Sequence, residues 1–256
     1  AAGNIGTDYI AKAAPDGYVI GIGNFAPLSV NRALMPQMPF DPVKDLTPIV
    51  LLEKGPVLLL VNEKSPYKTL KDLIADAKAK PDKLSYASAG QGGAYHLAGE
   101  QFKDLTGLVI THIPYKGGGP AVTDLLGGQV DMLFDWITAG IPHLTANPPR
   151  FRALAITSAK RSPQLPNVPT FDELGIKGME MSNWFGVVGP KNMPPAIVAK
   201  LNDAINKALA DPEIKEKITQ GGNEVAGGDP QFFAKFISAE SDRWAKLIKA
   251  KGIKPE

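Results

Sequence analysis

Hydrophobic and polar residues follow two rhythms along the chain: short runs rich in β-branched and aromatic residues, and longer windows with a helical period. The clearest helical window is Thr69–Lys80, whose apolar positions fall at i, i+3, i+4 and i+7, on Leu70, Leu73, Ile74 and Ala77. Thr69 suits the N-cap of this helix because Asp72 follows three residues later. Strands that alternate with helices in this way predict an α/β fold with largely parallel sheets.

The same two periods predict the remaining elements. Further helices are expected at Ile5–Ala13, Ala94–Leu105, Ala121–Leu126, from Pro194-Pro195 onward, at Pro212–Gln220, and from Asp229-Pro230 to just before Gly252. Strands are expected at Tyr18–Ile22, Pro48–Glu53, Val57–Val61, Leu84–Ala87, Val109–Ile113, Val130–Phe134, Phe151–Ile156 and Trp184–Val188. The segment Asn24–Asp45 is rich in proline and has little periodicity, which predicts a long loop with one helical turn.

The composition is that of a folded globular protein. The chain has 256 residues, of which 44% are hydrophobic and 21% charged, so one large domain or two small ones can bury a sizeable core. Its 28 Lys and Arg against 26 Asp and Glu give a net charge of +2 without a clustered basic stripe, which disfavours nucleic-acid binding. The absence of cysteine excludes thiolate nucleophiles and disulfides. No apolar run in the sequence approaches the roughly 18 residues of a membrane span.

Two glycine-rich loops have the same design. The segments Ser88–Gly93 and Tyr115–Pro120 each join a predicted strand to a predicted helix. Glycine leaves backbone N–H groups unshielded, and the start of the next helix adds unpaired N–H groups and a positive dipole end. Such a loop suits a carboxylate or phosphate, although a tight turn alone also needs glycine. Because both loops follow strand ends, an anion site and two simple turns are equally good interpretations.

The other polar candidates leave alternatives open. Asp135, at the end of a predicted strand, either holds a ligand amine or hydroxyl or caps the helix that follows. His96, three residues after Gly93, is expected to hold the loop by a side-chain hydrogen bond rather than to contact a ligand. His112 and His143 lack metal-ligand spacing, and the sequence offers neither a nucleophile elbow nor a clear acid–base pair. These observations favour a binding protein without a metal or cofactor over an enzyme.

Several phrases, in order and at consistent spacing, resemble one large family of bacterial extracytoplasmic receptors. Besides the two glycine loops, they are Gly3–Gly6, Ala13–Tyr18, His96–Glu100, Gly127–Asp131, Phe134-Asp135, Arg152–Ala155, Ser158–Ser162, Pro166–Thr170, Trp184–Gly186 and Leu201-Asn202. The family is the Bug receptors, the solute-binding components of tripartite tricarboxylate transporters. The resemblance covers the whole chain.

The resemblance implies a two-lobed periplasmic binding protein of type II, the Venus-flytrap fold, with the ligand held between two α/β lobes. The family's usual ligands are small organic acids, held by backbone amides and ordered waters. By analogy, the two glycine loops meet the ligand carboxylate, Asp135 faces the variable end of the ligand, and Asn24-Phe25-Ala26 contributes from the other lobe. The implied ligand-binding residues are Ser88, Ala89, Gly90, Gln91, Gly92, Gly93, Tyr115, Lys116, Gly117, Asp135, Asn24, Phe25 and Ala26.

The expected lobes are residues 1–61 with 182–256, and residues 62–181. Family members normally begin with a strand, a Pro-Gly-Gly loop and a helix ahead of the phrase matched by Gly3–Gly6. This chain is therefore expected to be truncated, with the N-terminal strand and helix of one lobe missing. A signal peptide is expected to have been removed before that point.

The expected function is capture of a small organic acid, such as a di- or tricarboxylate, an amino acid or an aromatic acid. A periplasmic monomer would hand this ligand to the membrane subunits of a transporter. The alternative is a similar clamp that presents its solute to a signalling partner, and an enzyme acting on a carboxylate is a third hypothesis. The type of fold alone does not separate these functions.

Overall fold

The structure is a computed structural model that describes residues 3–35 and 37–253, with only the backbone of Lys251. The chain divides into unit 1, with Ala1–Lys54, Trp184–Thr219 and Glu224–Glu256, and unit 2, with Gly55–Asn183 and Gln220–Asn223. The expected lobe boundaries lay after Val61 and after Met181, whereas the first two unit boundaries lie after Lys54 and after Asn183. Residues 220–223, which were expected in the first lobe, belong to unit 2. Residues 1, 2, 36 and 254–256, which the sequence analysis assigned to the first lobe, lie outside the described residues.

Helices and strands alternate through most of the chain. The helices are α1 (Asn4–Ala11), α2 (Asn31–Leu34), α3 (Leu70–Ala79), α4 (Ala94–Thr106), α5 (Gly118–Gly127), α6 (Ile137–Leu144), α7 (Pro195–Ala210), α8 (Pro212–Gln220) and α9 (Pro230–Lys251). The strands are β1 (Gly21–Asn24), β2 (Leu46–Asn62), β3 (Ser85–Ser88), β4 (Thr111–Pro114), β5 (Met132–Trp136), β6 (Phe151–Ile156), β7 (Ser182–Pro190) and β8 (Glu224–Gly227). Within the described residues, none of these helices is long and apolar enough to span a bilayer.

Unit 1 contains a sheet in the order β1-β7-β2-β8, where β1 is antiparallel to β7 and β8 is antiparallel to the first half of β2. Apolar residues of β2 and β7 pack against α7. A separate aromatic cluster joins β7 to α9. In this cluster the ring of Trp184 meets Phe25 edge-on at 6.4 Å and Phe233 at 5.9 Å, and Phe25 meets Trp244 at 5.1 Å. These contacts make Trp184 a core residue.

Unit 2 contains a sheet in the order β6-β2-β5-β3-β4. The second half of β2 is antiparallel to both β5 and β6, while β3 is parallel to β4 and to β5. Helix α4 lies close against β3 because Gly99 has no side chain, and a Cβ there would overlap the ring of Tyr86. The core includes Leu58, Leu60, Ala87, Leu125, Leu133, Ile137, Phe151 and Ile156.

The expected α/β fold class is confirmed by these two units, but the expectation of largely parallel sheets is wrong. The pairs of β3 with β4 and with β5 are parallel, whereas β1 with β7 and β2 with β5, β6 and β8 are antiparallel. Hydrophobic periodicity locates strands but contains no information on the direction of a neighbour that comes from a distant part of the chain. Here the antiparallel neighbours of β2 come from residues 132–136, 151–156 and 224–227.

The two strands expected at Pro48–Glu53 and Val57–Val61 are one continuous strand, β2. Its partners change along its length: Leu51–Lys54 faces β8, and Val57–Asn62 faces β5 and β6. Gly55 lies between these two parts, and a Cβ there would overlap the side chain of Asn223. The Gly-Pro step that interrupts the sequence pattern therefore lies inside the strand, at the point where one set of partners gives way to another.

The expectation of a long loop at Asn24–Asp45 is wrong for the first third of this segment. Directly after β1, a π-helical turn at Ala26–Val30 leads into α2. Pro27 is tolerated because it lies in the first turn, where an N–H group has no intrahelical acceptor. Leu28, Val30 and Leu34 are buried, and the turn packs against α9. Tertiary packing therefore outweighs the weak local helical pattern.

Other differences are smaller. The strand expected at Tyr18–Ile22 lies at Gly21–Asn24, and the strands expected to start at Val109 and Val130 each begin two residues later. Helix α6, which contains Pro142, follows the predicted strand end at Asp135 without a clear periodic pattern. Strand β8 was not predicted, because its 4 residues are too few for a periodic signal. The predicted cap at Thr69 is confirmed, because Thr69 forms a capping box with Asp72. At the expected start of the last helix, the Asp229 carboxylate accepts from the Phe232 N–H at 2.7 Å.

We expect Thr69→Ala to lower the free energy of unfolding by about 1 kcal/mol, because it removes the hydroxyl that accepts from the Asp72 N–H. Urea unfolding measures the loss, and amide hydrogen exchange should localise it to α3. Thr69→Ser keeps the hydroxyl and is the matched control. Equal stability of the alanine and serine variants would show that the capping box contributes nothing.

Candidate functional site

The two glycine loops lie side by side in unit 2. Strands β3 and β4 are adjacent and parallel, with Ser88 opposite Pro114, so their carboxyl ends reach the same edge of the sheet. Beyond the strands, the Tyr115 N–H donates to the Ser88 carbonyl at 3.0 Å and the Gly117 N–H donates to the Ala89 carbonyl at 3.1 Å. The loops therefore form one joined structure.

The first loop needs glycine at two positions. Gly90 has φ +137° and Gly92 has φ +74°, values that residues with a Cβ rarely adopt. Gln91 lies between them and is half-buried, and Gly93 is the N-cap of α4 in an extended conformation. The loop is therefore followed directly by α4, whose first N–H groups have no acceptor within the helix.

The second loop opens onto free space. Gly117, the N-cap of α5, has φ +108°, and a Cβ built at Gly117, Gly118 or Gly119 meets no atom within 4 Å. Tyr115 turns away from this space, since its hydroxyl donates to Asp124 at 2.6 Å and its ring packs on the core. Burial and the Asp124 carboxylate raise the pKa of Tyr115 to about 12. Lys116 is exposed, so the loop offers mainly backbone donors to its surroundings.

Asp135 lies at the same sheet edge because β5 is parallel to β3. It is the penultimate residue of β5 and only 3% exposed. Burial raises the pKa of Asp135 to about 6, although a hydrogen bond from the Trp136 N–H at 2.8 Å acts in the opposite direction. The capping interpretation is wrong, because the N-cap of α6 is Trp136 and its helix start has no side-chain cap.

Tyr95 and Asn183 are polar residues that were not predicted, and Tyr95 lies close enough to Asp135 for the two groups to interact electrostatically. The Asn183 amide donates to the Tyr95 hydroxyl at 3.4 Å. Burial raises the pKa of Tyr95, and the negative charge of Asp135 raises it further. Tyr95 lies in the first turn of α4, immediately after the loop, which is a signal that the sequence offered. Asn183 is only 5% exposed and lies 88 positions from Tyr95, so no local pattern could connect the two.

Two histidines support the first loop from behind. The Gly92 N–H donates to Nδ1 of His96 at 3.1 Å, which confirms the expected loop-holding role of His96. The Ser88 hydroxyl lies 2.8 Å from Nε2 of His112. This pair differs from an activated nucleophile, because Ser88 is fully buried and Nδ1 of His112 has no hydrogen-bond partner among the described residues. No cluster of potential metal ligands occurs within residues 3–35 and 37–253.

The three remaining candidate residues belong to unit 1. Asn24 ends β1, and its buried Oδ1 has no hydrogen-bond partner in the described part of the chain. Phe25 is 1% exposed and its ring lies in the aromatic core. Ala26 begins the π-helical turn and is also buried. The ligand-binding role expected for Asn24, Phe25 and Ala26 stays a prediction.

The chain is similar to proteins that are already known. The family model for the tripartite tricarboxylate transporter family receptor matches residues 1–253. The protein BugT of Bordetella pertussis is 39% identical over 99% of this chain and 78% of its own length. Among solved structures, an R. palustris protein with adipate is 38% identical, with a TM-score of 0.94 over 99% of this chain and 84% of its own. MatC from Rhodopseudomonas palustris with bound malate is 32% identical, with a TM-score of 0.89 over 97% of this chain and 85% of its own.

The match to the family model, the sequence identity and the shared fold agree with one another and with the order of the glycine loops, strands and helices. The chain therefore belongs to the tripartite tricarboxylate transporter receptors, the family that includes the Bug proteins.

Proposed function

We propose that this chain is a solute receptor that captures a small organic carboxylate through the backbone N–H groups of its two glycine loops. The observation that carries the proposal is the joined pair of loops at one sheet edge, each leading into the N-terminus of a helix. Helix starts present unpaired N–H groups and a partial positive charge, both of which stabilise an anion. The open space in front of Gly117–Gly119 leaves room for a ligand.

Dicarboxylates are the ligand class that we favour. Two relatives of 38% and 32% identity were solved with adipate and with malate, which both carry two carboxyl groups. One carboxylate would accept from the loop N–H groups. The other end of the ligand would meet Asp135, Tyr95 and Asn183, a mixed set of donors and acceptors at the same edge.

The raised pKa of Asp135 is consistent with this assignment. A carboxyl group that burial keeps partly protonated near pH 6 is able to donate a hydrogen bond to an anionic ligand group, instead of repelling it. The Tyr95 hydroxyl, whose pKa is also raised, stays protonated and remains a donor. Selection of the ligand would therefore depend on the distance between the loops and this second set of polar groups.

Membership of the family supports a periplasmic location and delivery of the ligand, unchanged, to a transporter. We propose this role over the signalling alternative. Binding to the membrane subunits of a tripartite transporter, tested by reconstitution, would separate the two roles.

We expect a thermal-shift screen of dicarboxylates, with adipate and malate first, to raise the melting temperature of the chain. A ligand at 100-fold excess over its Kd stabilises the folded state by about 2.7 kcal/mol. Monoamines of similar length serve as matched controls of opposite charge. If neither these acids nor amino acids, tricarboxylates and aromatic acids shift the transition, the proposed function is wrong.

We expect Gly118→Asp to weaken dicarboxylate binding at least tenfold, as measured by calorimetry, without loss of stability. A Cβ at Gly118 has free space, and an acidic residue in the first turn of a helix stabilises that helix. The added carboxylate would occupy the N–H groups and repel the ligand. Gly118→Asn has the same shape without the charge, so its affinity should stay closer to that of the wild type. An aspartate variant that binds like the asparagine variant would contradict an anion site here.

We expect Asp135→Asn to stabilise the ligand-free protein at pH 8 but much less at pH 4. A folded-state pKa of about 6 against an ordinary 3.8 means that the charged form destabilises the fold above pH 6, by up to ~3 kcal/mol. This cost disappears as the pH falls and both states become protonated. Urea unfolding at the two pH values measures the difference, and Asp172→Asn at an exposed position controls for the lost charge. If the difference in unfolding free energy between the variant and the wild type did not depend on pH, a raised pKa of the buried Asp135 carboxyl would be contradicted.

A further inference from the structure

We propose that His112 and His96 are positioning residues, which hold the Ser88–Gly93 loop in the shape that presents its N–H groups to the ligand. The proposal deepens the proposed function and rests on it for the identity of the ligand. Its structural part, the support of the loop by two neutral imidazole rings, is independent of any ligand. Neither ring is assigned a contact with the ligand itself.

The support begins at Ser88, the last residue of β3. Its hydroxyl lies 2.8 Å from Nε2 of His112, 3.2 Å from the Gly90 carbonyl and 3.3 Å from the Gly90 N–H. One oxygen atom thus links the strand end, the loop and the neighbouring strand β4, which carries His112. Because Ser88 is fully buried, water does not compete for these contacts.

The second contact is at the far end of the loop. Nδ1 of His96 accepts the Gly92 N–H at 3.1 Å, and Gly92 is one of the two residues in the loop with positive φ. An acceptor nitrogen carries no proton, so the neutral His96 ring must carry its proton on Nε2. The two histidines therefore fix the loop at Gly90, through Ser88, and at Gly92.

The rings are themselves held in a stack. His112 lies between His96, at a centroid distance of 4.2 Å, and Tyr86, at 4.7 Å, with the planes inclined by 19° and 24°. Tyr86 is buried, and its hydroxyl donates to Glu100 at 2.8 Å, which also accepts from Lys103 at 2.8 Å. Burial lowers the pKa of His112 to about 3. The ring is therefore neutral at physiological pH.

The contacts around Ser88 also select the tautomer of His112. The serine hydroxyl has a single proton and two neighbouring acceptors, the Gly90 carbonyl and Nε2 of His112. If His112 carries its proton on Nε2, that N–H donates to Ser88, and the hydroxyl remains free to donate to Gly90. If the proton were on Nδ1, Nε2 would be an acceptor, and the single hydroxyl proton of Ser88 could be donated either to Nε2 or to the Gly90 carbonyl but not to both. We therefore expect both histidines to be Nε2–H tautomers.

The first test needs no ligand. Nitrogen-15 NMR of the histidine rings should show both as neutral Nε2–H tautomers at pH 7. In the His112→Phe variant, which keeps a ring in the stack but removes Nε2, amide exchange at Gly90 and Gly92 should rise at least tenfold, while α3 is unchanged. An Nδ1–H tautomer for His96, or unchanged exchange in the loop, would overturn the proposal.

The second test measures binding of adipate and malate by calorimetry. His112→Phe should weaken binding about tenfold, the scale of a lost buried hydrogen bond, and His112→Gln, which is able to donate to Ser88 again, should recover part of the affinity. If His112 acts through Ser88, His112→Phe should have no further effect in a Ser88→Ala background. Thr69→Ala, which removes the capping hydroxyl of α3 outside the two loops and the ring stack, is the control and should bind like the wild type.

Additive effects of His112→Phe and Ser88→Ala on the Kd, or wild-type affinity in His112→Phe, would overturn the positioning role. If the wild type binds neither acid nor any other carboxylate, the proposed function fails, and the NMR and exchange measurements still decide whether the histidines support the loop. The two failures are therefore distinguishable.

Discussion

The parallel pairing of β3 with β4 and with β5 is the constraint on which the rest of the candidate site depends. Strands in one direction end at one sheet edge, so the segments that follow them meet there. The two glycine loops and Asp135 come together for this reason, although they are spread over almost fifty residues of sequence. Register matters as much as direction, because a slip of one residue would turn the Ser88 hydroxyl to the opposite face, away from His112.

The proposed site relies on oriented dipoles rather than on a formal positive charge. Lys116 beside the second loop is exposed, while Arg152, elsewhere in unit 2, is already in an ion pair with Glu63 and donates to the Tyr67 carbonyl at 3.2 Å. A lysine or arginine side chain follows a ligand through several rotamers, whereas an N–H group points only where the backbone directs it. Binding by backbone donors therefore depends on a rigid loop, and we infer that the two histidines that contact the loop and Ser88 provide this rigidity.

Much of this arrangement was predictable from sequence because it depends on local rules. Glycine at a strand end, threonine ahead of an amphipathic window and histidine one turn into a helix each predict a contact within a few residues, and Thr69 and His96 make the contacts that were expected. What the sequence could not show depends on distant parts of the chain. The Phe25 ring packs against Trp184 and Trp244, which lie far along the chain, and Asn183 reaches Tyr95 only in the folded unit. The direction of the strands that pair with β2 could not be predicted either, because these strands also come from distant parts of the chain.

The packing of Gly99 on Tyr86 has a consequence for how this sequence is able to vary. A methyl group at position 99 would overlap the tyrosine ring, and that ring is one face of the stack that contains His112. Position 99 is therefore able to accept a larger residue only if a smaller one replaces the tyrosine at position 86. A substitution at this buried contact, which has no assigned role in binding, would therefore alter the packing that supports the glycine loop. Among related sequences, substitutions at positions 86 and 99 are therefore expected to be correlated.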